Sequence, residues 1–572
     1  MAIVRPPYAK AEQQPAMWVD LVVVLATGAL LAGIVGFARR WEAPLRPATV
    51  IDLSPSALPL YTLLSLGRGF AAYFLSLAFT LVYGTIAAHN RRAERVMIPV
   101  IDVLQGIPVL GFLPGVVLAM VALFPHSNVG LELACVVMIF TGQVWNMTFS
   151  FYGSLRAIPT DLVEVATLHR FGWWKRFGTL EVPSATIGLV WNSMMSMAGG
   201  WFFLTVTEAF TLGDRDFRLP GIGAYMAAAI DAGNWSAMGA AVVAMVTMIV
   251  LVDQLVWRPA LAWAQRFKVE ETGAAEVPRS AVLDLLRRSR LLVLLARATA
   301  RLAETVRAVP EAEAKDAVGE GRSLRRFGLG VLGVAAIGCV AWGGVDLVRL
   351  LRQVPASEWL TVVGCLGLTS LRTAAALLLG TLWTVPVGVW IGLSPSRTRL
   401  LQPVIQVAAS FPAPMIFPLV TAALLVIGVP FAWGCVVLML LGSQWYVLFN
   451  VLAGATAMPQ DMREAADVYG LGGWARWRTL YLPAVFPHLV TGLITAAGGA
   501  WNASIVSEYV RFHGRSLVAP GLGSLITQAS ESGNFPQLAA GVLTMSLALV
   551  ALNRTVWRRL YRLADERYSL NR

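Results

Sequence analysis

Charge is scarce in this sequence: only 14% of its 572 residues are Asp, Glu, Lys or Arg. A soluble protein of that length needs far more polar surface, so a soluble globular chain is excluded. Cysteine is scarcer still. Cys135, Cys339, Cys365 and Cys435 all sit in apolar runs without CxxC or Cys/His spacing, which reads as small buried hydrophobes, not metal or redox sites. The five histidines (His89, His126, His169, His488 and His513) show no ligand spacing either. No G-x-x-x-x-G-K-[ST] phosphate loop occurs, so the chain does not hydrolyse ATP by that route. No nucleophile–base pair stands out, and intramembrane acids are too sparse for an evident proton relay. No basic cluster is interleaved with an aromatic platform, and nucleic acid is not an expected partner.

What is abundant is apolar length. Hydrophobic residues make up 57% of the chain and mean hydropathy is +0.65. Stretches of about 20 apolar residues recur, each enough to cross a bilayer core of about 30 Å as a helix. Twenty Trp and a net charge of +12 fit a polytopic membrane protein, with Trp at the interfaces and basic residues in cytoplasmic loops. Apolar runs predict spans near 17–37, 66–88, 105–124, 128–150, 183–207 and 236–257. A second set falls near 327–349, 366–392, 405–427, 431–453, 483–507 and 537–557. The fold class is therefore all-α: two tandem six-helix bundles, 1–258 (core 66–258) and 327–572 (core 366–558), joined by a charged linker, 259–326. The excess of Arg in that linker places it in the cytoplasm, and six spans per half place both termini there too. The weak point is Arg39, Arg40 and Arg46, which would then lie outside. The first run ends in a passable signal-peptidase site at Gly36-Phe37-Ala38, but its length and Arg39-Arg40 favour a retained helix. Within the linker, Ala281 to Val309 reads as a basic amphipathic helix, either lying on membrane lipid or serving as a solvated connector.

The two halves repeat one another. Pro159/Pro459, Glu164/Glu464, Pro183/Pro483, Trp201/Trp501, Glu208/Glu508, Pro220-Gly221/Pro520-Gly521, Gly223/Gly523 and Trp257-Arg258/Trp557-Arg558 are all offset by 300. Upstream, Arg68/Arg372, Gly84/Gly388, Pro99/Pro403, Pro108/Pro412 and Pro114/Pro418 are offset by 304. A four-residue length difference between Phe124 and Asn128 accounts for the change. An even number of spans per half makes the repeats parallel, related by a pseudo-two-fold along the membrane normal and enclosing a central path.

Between the fourth and fifth spans each half carries a polar segment, Pro159-Thr-Asp-Leu-Val-Glu164-Val-Ala166 running to Gly172 and Pro183, and Pro459-Gln-Asp-Met-Arg-Glu464-Ala465-Ala466 running through Gly470 and Gly472 to Pro483. Pro with Asp two residues on starts a helix. The small residues predict one flat face that lets another protein approach, with the Glu as a charged anchor. The second copy resembles the EAA-x3-G-x9-I-x-L-P loop of bacterial ABC-importer permeases, with Leu480 at the Ile position. That resemblance implies that Glu164, Ala166, Gly172, Glu464, Ala465, Ala466, Gly470 and Gly472 form coupling helices docking on an ATP-binding-cassette ATPase dimer. ATP and Mg would then sit on that partner, and this chain would bind no cofactor. The first copy has Val165 and Arg170 where the family has Ala and Gly. Because a left-handed turn at Arg170 costs about 1 kcal/mol, the turn is expected to move to Gly172.

A second resemblance is to the nitrate/sulfonate/taurine branch, carried by Trp201…Glu208…Pro220-Gly-Ile-Gly223 and Trp501…Glu508…Pro520-Gly-Leu-Gly523. It implies import of a small, often anionic solute delivered by a periplasmic binding protein across the bacterial inner membrane. Trp201, Glu208, Trp501, Glu508, Asn192 and Asn502 are candidates for the translocation path or gate. Two readings of Glu208 and Glu508 stay open: a gate or cross-axis pairing with Arg, or an anchor for the Gly-rich loop. Asn192 and Asn502 can equally serve helix–helix hydrogen bonding, and Arg68 and Arg372 either attract an anion or, the cheaper explanation, snorkel at the interface. The rival class, an ion-coupled secondary transporter of six-plus-six repeats, would want a Gly-x3-Asp-Arg-x-Gly-Arg loop, which His89-Asn-Arg-Arg-Ala-Glu-Arg95 does not supply.

Overall fold

The computed structural model describes residues 49–267 apart from 106 and 213–214, then 281–286, 338, and 341–568 apart from 513–514. The expected first span, most of the linker helix beyond Leu286 and most of the expected seventh span lie outside the described residues.

Apolar runs become helices because a backbone in lipid must satisfy its own hydrogen bonds. In the first half these are α1 (Leu58–His89), α2 (Arg91–Gln105), α3 (Leu113–Leu123), α4 (Val129–Arg156), the short α5 (Thr160–Leu168) and α6 (Val182–Thr207). A two-stranded hairpin follows, β1 (Ala209–Leu212) with β2 (Arg215–Arg218), then α7 (Ile222–Asp231) and α8 (Trp235–Val252). The second half repeats the order: α9 (Ala356–Gly392), α10 (Pro395–Ser410), α11 (Ala413–Val426), α12 (Phe431–Thr456), α13 (Gln460–Val468), α14 (Leu482–Ser507), β3 (Tyr509–Phe512) with β4 (Arg515–Val518), α15 (Leu522–Glu531) and α16 (Phe535–Leu552). Among the described residues seven helices are long and apolar enough to cross a bilayer, or eight if α10 and α11 count as one.

The third spans, expected as single helices over 105–124 and 405–427, are instead broken. α10 and α11 meet at 87°, and in the first half α2 ends at Gln105, where the span was expected to begin. The cause is proline. Pro108 and Pro412 sit in matching extended conformations (φ −67°, ψ 111° and φ −68°, ψ 112°). Each forces the residue before it out of the helical region and brings no N–H to continue the ladder.

Wider turns also recur at equivalent places. Phe177–Glu181 and Trp477–Tyr481 are π-helical just ahead of α6 and α14, as are Asp253–Trp257 and Asn553–Trp557 just after α8 and α16. Pro183, Pro483 and Pro259 follow three of these turns, where a missing N–H leaves the tight helical ladder no bond to make.

Within each half the fourth-span helix is central: α4 packs between α1 and α6, and α12 between α9 and α14. The halves then interlock. α10 and α11 lie on α6, and the Val109–Phe112 turn of the first half lies on α14 and α16 of the second. Short knobs α5 and α13 stand at one end of the bundle and the hairpins at the other.

Close backbone approach fixes the hairpin end. A Cβ on Gly523 would lie 2.3 Å from the Ser504 carbonyl oxygen, a backbone atom that cannot swing aside. Gly523→Ala is expected to destabilise the second half by about 1–3 kcal/mol, seen as a lower unfolding temperature in detergent. A change within error would show that α14 and α15 can separate freely.

Candidate functional site

Three features can carry function: the buried charge clusters at the hairpin end, the knobs at the other, and the chambers between the halves.

In the first cluster, Glu208 is fully buried and accepts from Arg68 Nη1 at 2.8 Å, Ser65 Oγ at 2.6 Å and the Gly223 N–H at 2.7 Å. Arg68 also donates to the Pro220 carbonyl at 2.9 Å. The second half copies this arrangement. Glu508 accepts from Arg372 Nη1 at 2.9 Å, Thr369 Oγ1 at 2.8 Å and the Gly523 N–H at 2.8 Å, and Arg372 donates to the Pro520 carbonyl at 2.7 Å. One carboxylate thus ties α1 or α9 to the Pro-Gly-x-Gly turn and the start of α7 or α15.

This corrects one expectation and decides between two open readings. The arginines do not snorkel, because Arg68 is 1% exposed and its guanidinium is fully engaged. The glutamates pair within their own half and not across the pseudo-axis, and they hold the glycine turn. Sequence reading missed Glu132, whose carboxylate grips Arg68 through Nε at 2.6 Å and Nη2 at 2.8 Å. A lone acid inside the α4 apolar run was the available signal. The second half has Ala432 there, and Arg372 Nε donates to its carbonyl at 3.1 Å.

At the opposite end, α5 and α13 share one burial pattern. Ala166 and Ala466 are each only 4% exposed, and Ala466 packs with Met458, Leu480 and Ala484. These alanines are therefore small so that the knob can seat on its own chain, not to offer a flat outer face. The outward side carries Glu164 with Leu162, Val165 and Leu168, and Glu464 with Met462, Ala465 and Val468. Gln460 Nε2 donates to Glu464 at 2.8 Å. Asp467 accepts from Arg476 at 2.5 Å, which raises the affinity of that guanidinium for its proton.

The turn after α5 does not move to Gly172. Arg170 itself takes the left-handed conformation at φ 49°, beside Gly470 at φ 64°, while Gly172 is extended (φ −64°, ψ 163°) and starts the next helical turn, as Gly472 does. The capping bonds match: Phe171 N–H to the Ala166 carbonyl and Leu471 N–H to the Ala466 carbonyl, both 2.9 Å. Those bonds outweigh the side-chain penalty, so both knobs present one backbone shape.

Two chambers lie between the halves. One of about 430 Å³ opens among α4, α6, α12 and α14, and another of about 280 Å³ lies at the hairpin end. Around the Pro108 and Pro412 elbows, Val109 and Ala413 line the first while Leu110 and Pro414 line the second. Asn502 lines the larger chamber, and its Oδ1 accepts the Val109 N–H at 2.9 Å, a hydrogen bond from one half to the other. The remaining path candidates do not line it. Trp201, Trp501, Glu208 and Glu508 are buried in packing, and Asn192 donates to the Gly188 carbonyl of its own helix at 3.0 Å. Asn502 is thus the path candidate that the structure brings to the chamber.

A family model described as "Binding-protein-dependent transport system inner membrane component" matches residues 80–256 and again 384–569. The chain is 25% identical over 32% of its length to a nitrate import permease protein of Leptolyngbya laminosa, covering 63% of that protein. It is 27% identical over 32% of its length to a taurine transport system permease protein of Escherichia coli (strain K12), covering 60%, and 24% identical over 32% to a bicarbonate transport system permease protein of Synechococcus elongatus, covering 63%. It therefore spans a little under two thirds of the length of these relatives.

Two outcomes follow from this geometry. Arg68→Met strands two buried carboxylates and Arg372→Met one, so the first should lower the unfolding temperature further, each losing about 3–5 kcal/mol or more. Equal losses would mean that Glu132 contributes nothing. Arg170→Gly should relieve about 1 kcal/mol and slow amide exchange at Phe171; unchanged exchange there would count against strain.

Proposed function

As this chain belongs to the binding-protein-dependent transport system inner membrane component family, we propose that it is the whole transmembrane part of an ATP-driven importer, carrying a small solute between its two halves. The observation that carries this reading is the pair of matched knobs at one end of the molecule. Each exposes an apolar ridge three residues apart along a helix, with a glutamate beside it. Leu168 is 80% exposed and Val468 85%, more than a free surface helix needs, and a grooved protein partner would cover them.

That partner is a separate ATPase pair, one subunit on each knob. The knob end also gathers Arg91, Arg92, Arg95, Arg156, Lys175 and Arg258, which supports a cytoplasmic position for it under the positive-inside rule. The hairpins then face the periplasm, where a solute-binding protein hands over its cargo. Relatives are named for nitrate, taurine and bicarbonate, so a small, often anionic solute is the class they suggest.

Each knob joins the helix beside the chamber, α5 to α6 and α13 to α14, through a short turn and a π segment. When bound ATP closes the ATPase pair, the knobs approach and α6 and α14 move with them as rigid levers. The driving energy is the difference in ATP affinity between the open and closed ATPase pair.

Glu164→Arg with Glu464→Arg places a like charge on both knobs without touching their buried alanines. The wild type is expected to copurify with an ATPase, and the double variant to lose it at unchanged expression and unfolding temperature. Uptake that persists without any ATPase and collapses with a proton-gradient uncoupler would instead identify an ion-coupled transporter.

A further inference from the structure

The larger chamber does not have the chemistry that a bare inorganic anion needs. Among the described residues, Asp102 and Arg558 are its two charged lining residues, one of each sign. An anion leaving water there would exchange its hydration for neutral donors and one cation, Arg558, which the acid Asp102 offsets. The wall it would meet is aromatic, and aromatic faces carry partial negative charge. Its volume of about 430 Å³ suits a larger organic body.

The wall is also unequal across the pseudo-axis. On the first half it offers Thr141, Trp145 and Asn146; at the equivalent places of the second half stand Leu441, Trp445 and Tyr446. At these places the first half offers more hydrogen-bonding groups and the second more apolar and aromatic surface, whereas Thr495 and Asn502 of the second half stand where the first has Met195 and Phe202. Trp145 Nε1 is buried and meets no acceptor among the described residues. A buried N–H left unpaired is costly, and since Trp145 lines the chamber, an acceptor that reached this N–H from within it would relieve that cost. Opposite, the Tyr446 ring lies over Gly499 of its own half, 3.0 Å from where a Cβ would stand there, and its hydroxyl reaches toward Gly199 of the other half, 3.7 Å from that Cβ position. Tyr446 therefore spans the middle of the chamber as a flat surface.

From these features we infer that the chamber holds an uncharged aromatic solute bearing a hydrogen-bond acceptor, such as a ring carboxamide. The ring lies against Tyr446 and Trp445, and the acceptor oxygen takes the Trp145 N–H. This rests on the importer reading for its setting and narrows its cargo away from small anions.

The test uses the full chain in nanodiscs, with benzamide as probe and sodium nitrate and taurine as comparisons, followed by calorimetry and by saturation-transfer NMR against empty nanodiscs. Benzamide is expected to bind saturably and more tightly than either comparison. Trp145→Phe, which keeps the ring and removes the N–H, should weaken it roughly fivefold, and Tyr446→Ala about tenfold. Phe74→Ala, on an exposed face of α1, should leave it unchanged. Nitrate or taurine binding more tightly, no saturable benzamide binding, or equal binding by wild type and both chamber variants would overturn the inference. ATPase copurification is scored on the same preparations. A chain that captures its ATPase but ignores benzamide loses only the chamber inference. One that binds benzamide as expected but captures no ATPase loses the importer reading and keeps the chamber.

Discussion

An arginine buried against a glutamate, once in each half, is the constraint around which the hairpin end is organised. Taking such charges out of water costs several kcal/mol per ion unless every remaining lone pair and proton finds a partner. The carboxylates meet that demand: each of Glu208 and Glu508 accepts from a guanidinium, a hydroxyl and a backbone N–H. The hydroxyl is itself used twice, since Ser65 Oγ also accepts the Ile222 N–H and Thr369 Oγ1 the Leu522 N–H. α1, α6 and α7 therefore cannot shift independently at this end, nor can α9, α14 and α15. The hairpin end is thus tied together by buried charge in both halves, while the knobs and π turns lie at the opposite end and the proline elbows between the two chambers.

The two halves share this frame but differ in how it is completed. Glu132 gives Arg68 a bidentate second partner, whereas Arg372 makes do with a carbonyl. At the knob end, His89 and Arg176 both meet the buried Glu181 at 2.9 and 2.7 Å. The second half places Leu393, Arg476 and Tyr481 at those positions, with Arg476 turned to Asp467 and stacked near Tyr481. The backbone is conserved through these exchanges, as Arg170 and Gly470 show most directly.

Much of this was legible in the sequence because helices in lipid announce themselves by apolar length and the duplication by its constant offset. Proline marked the elbows at Pro108 and Pro412, yet hydropathy alone ran straight through them, since a bend does not change the polarity of a segment. The knobs were visible as motifs, but the direction of their alanines was not: Ala166 and Ala466 are small for an internal contact that only packing reveals. Arg68 and Arg372 misled because an arginine near a helix end usually reaches outward, and the partners that draw it in lie 60 or more residues away. The chamber was least legible of all. Its inequality depends on which residue of each repeated pair faces the axis, and spacing carries no sign of that.

Fusion of the halves has a consequence for Tyr446. Its hydroxyl reaches Gly199, where the ring of a second tyrosine in place of Asn146 would have to lie by the pseudo-symmetry that pairs Gly199 with Gly499. Two identical subunits carrying this residue would thus set two rings in competition for one space. Joining both copies in a single polypeptide frees each from having to fit against its own duplicate, so an uneven chamber becomes available that no symmetric assembly of one gene product can build.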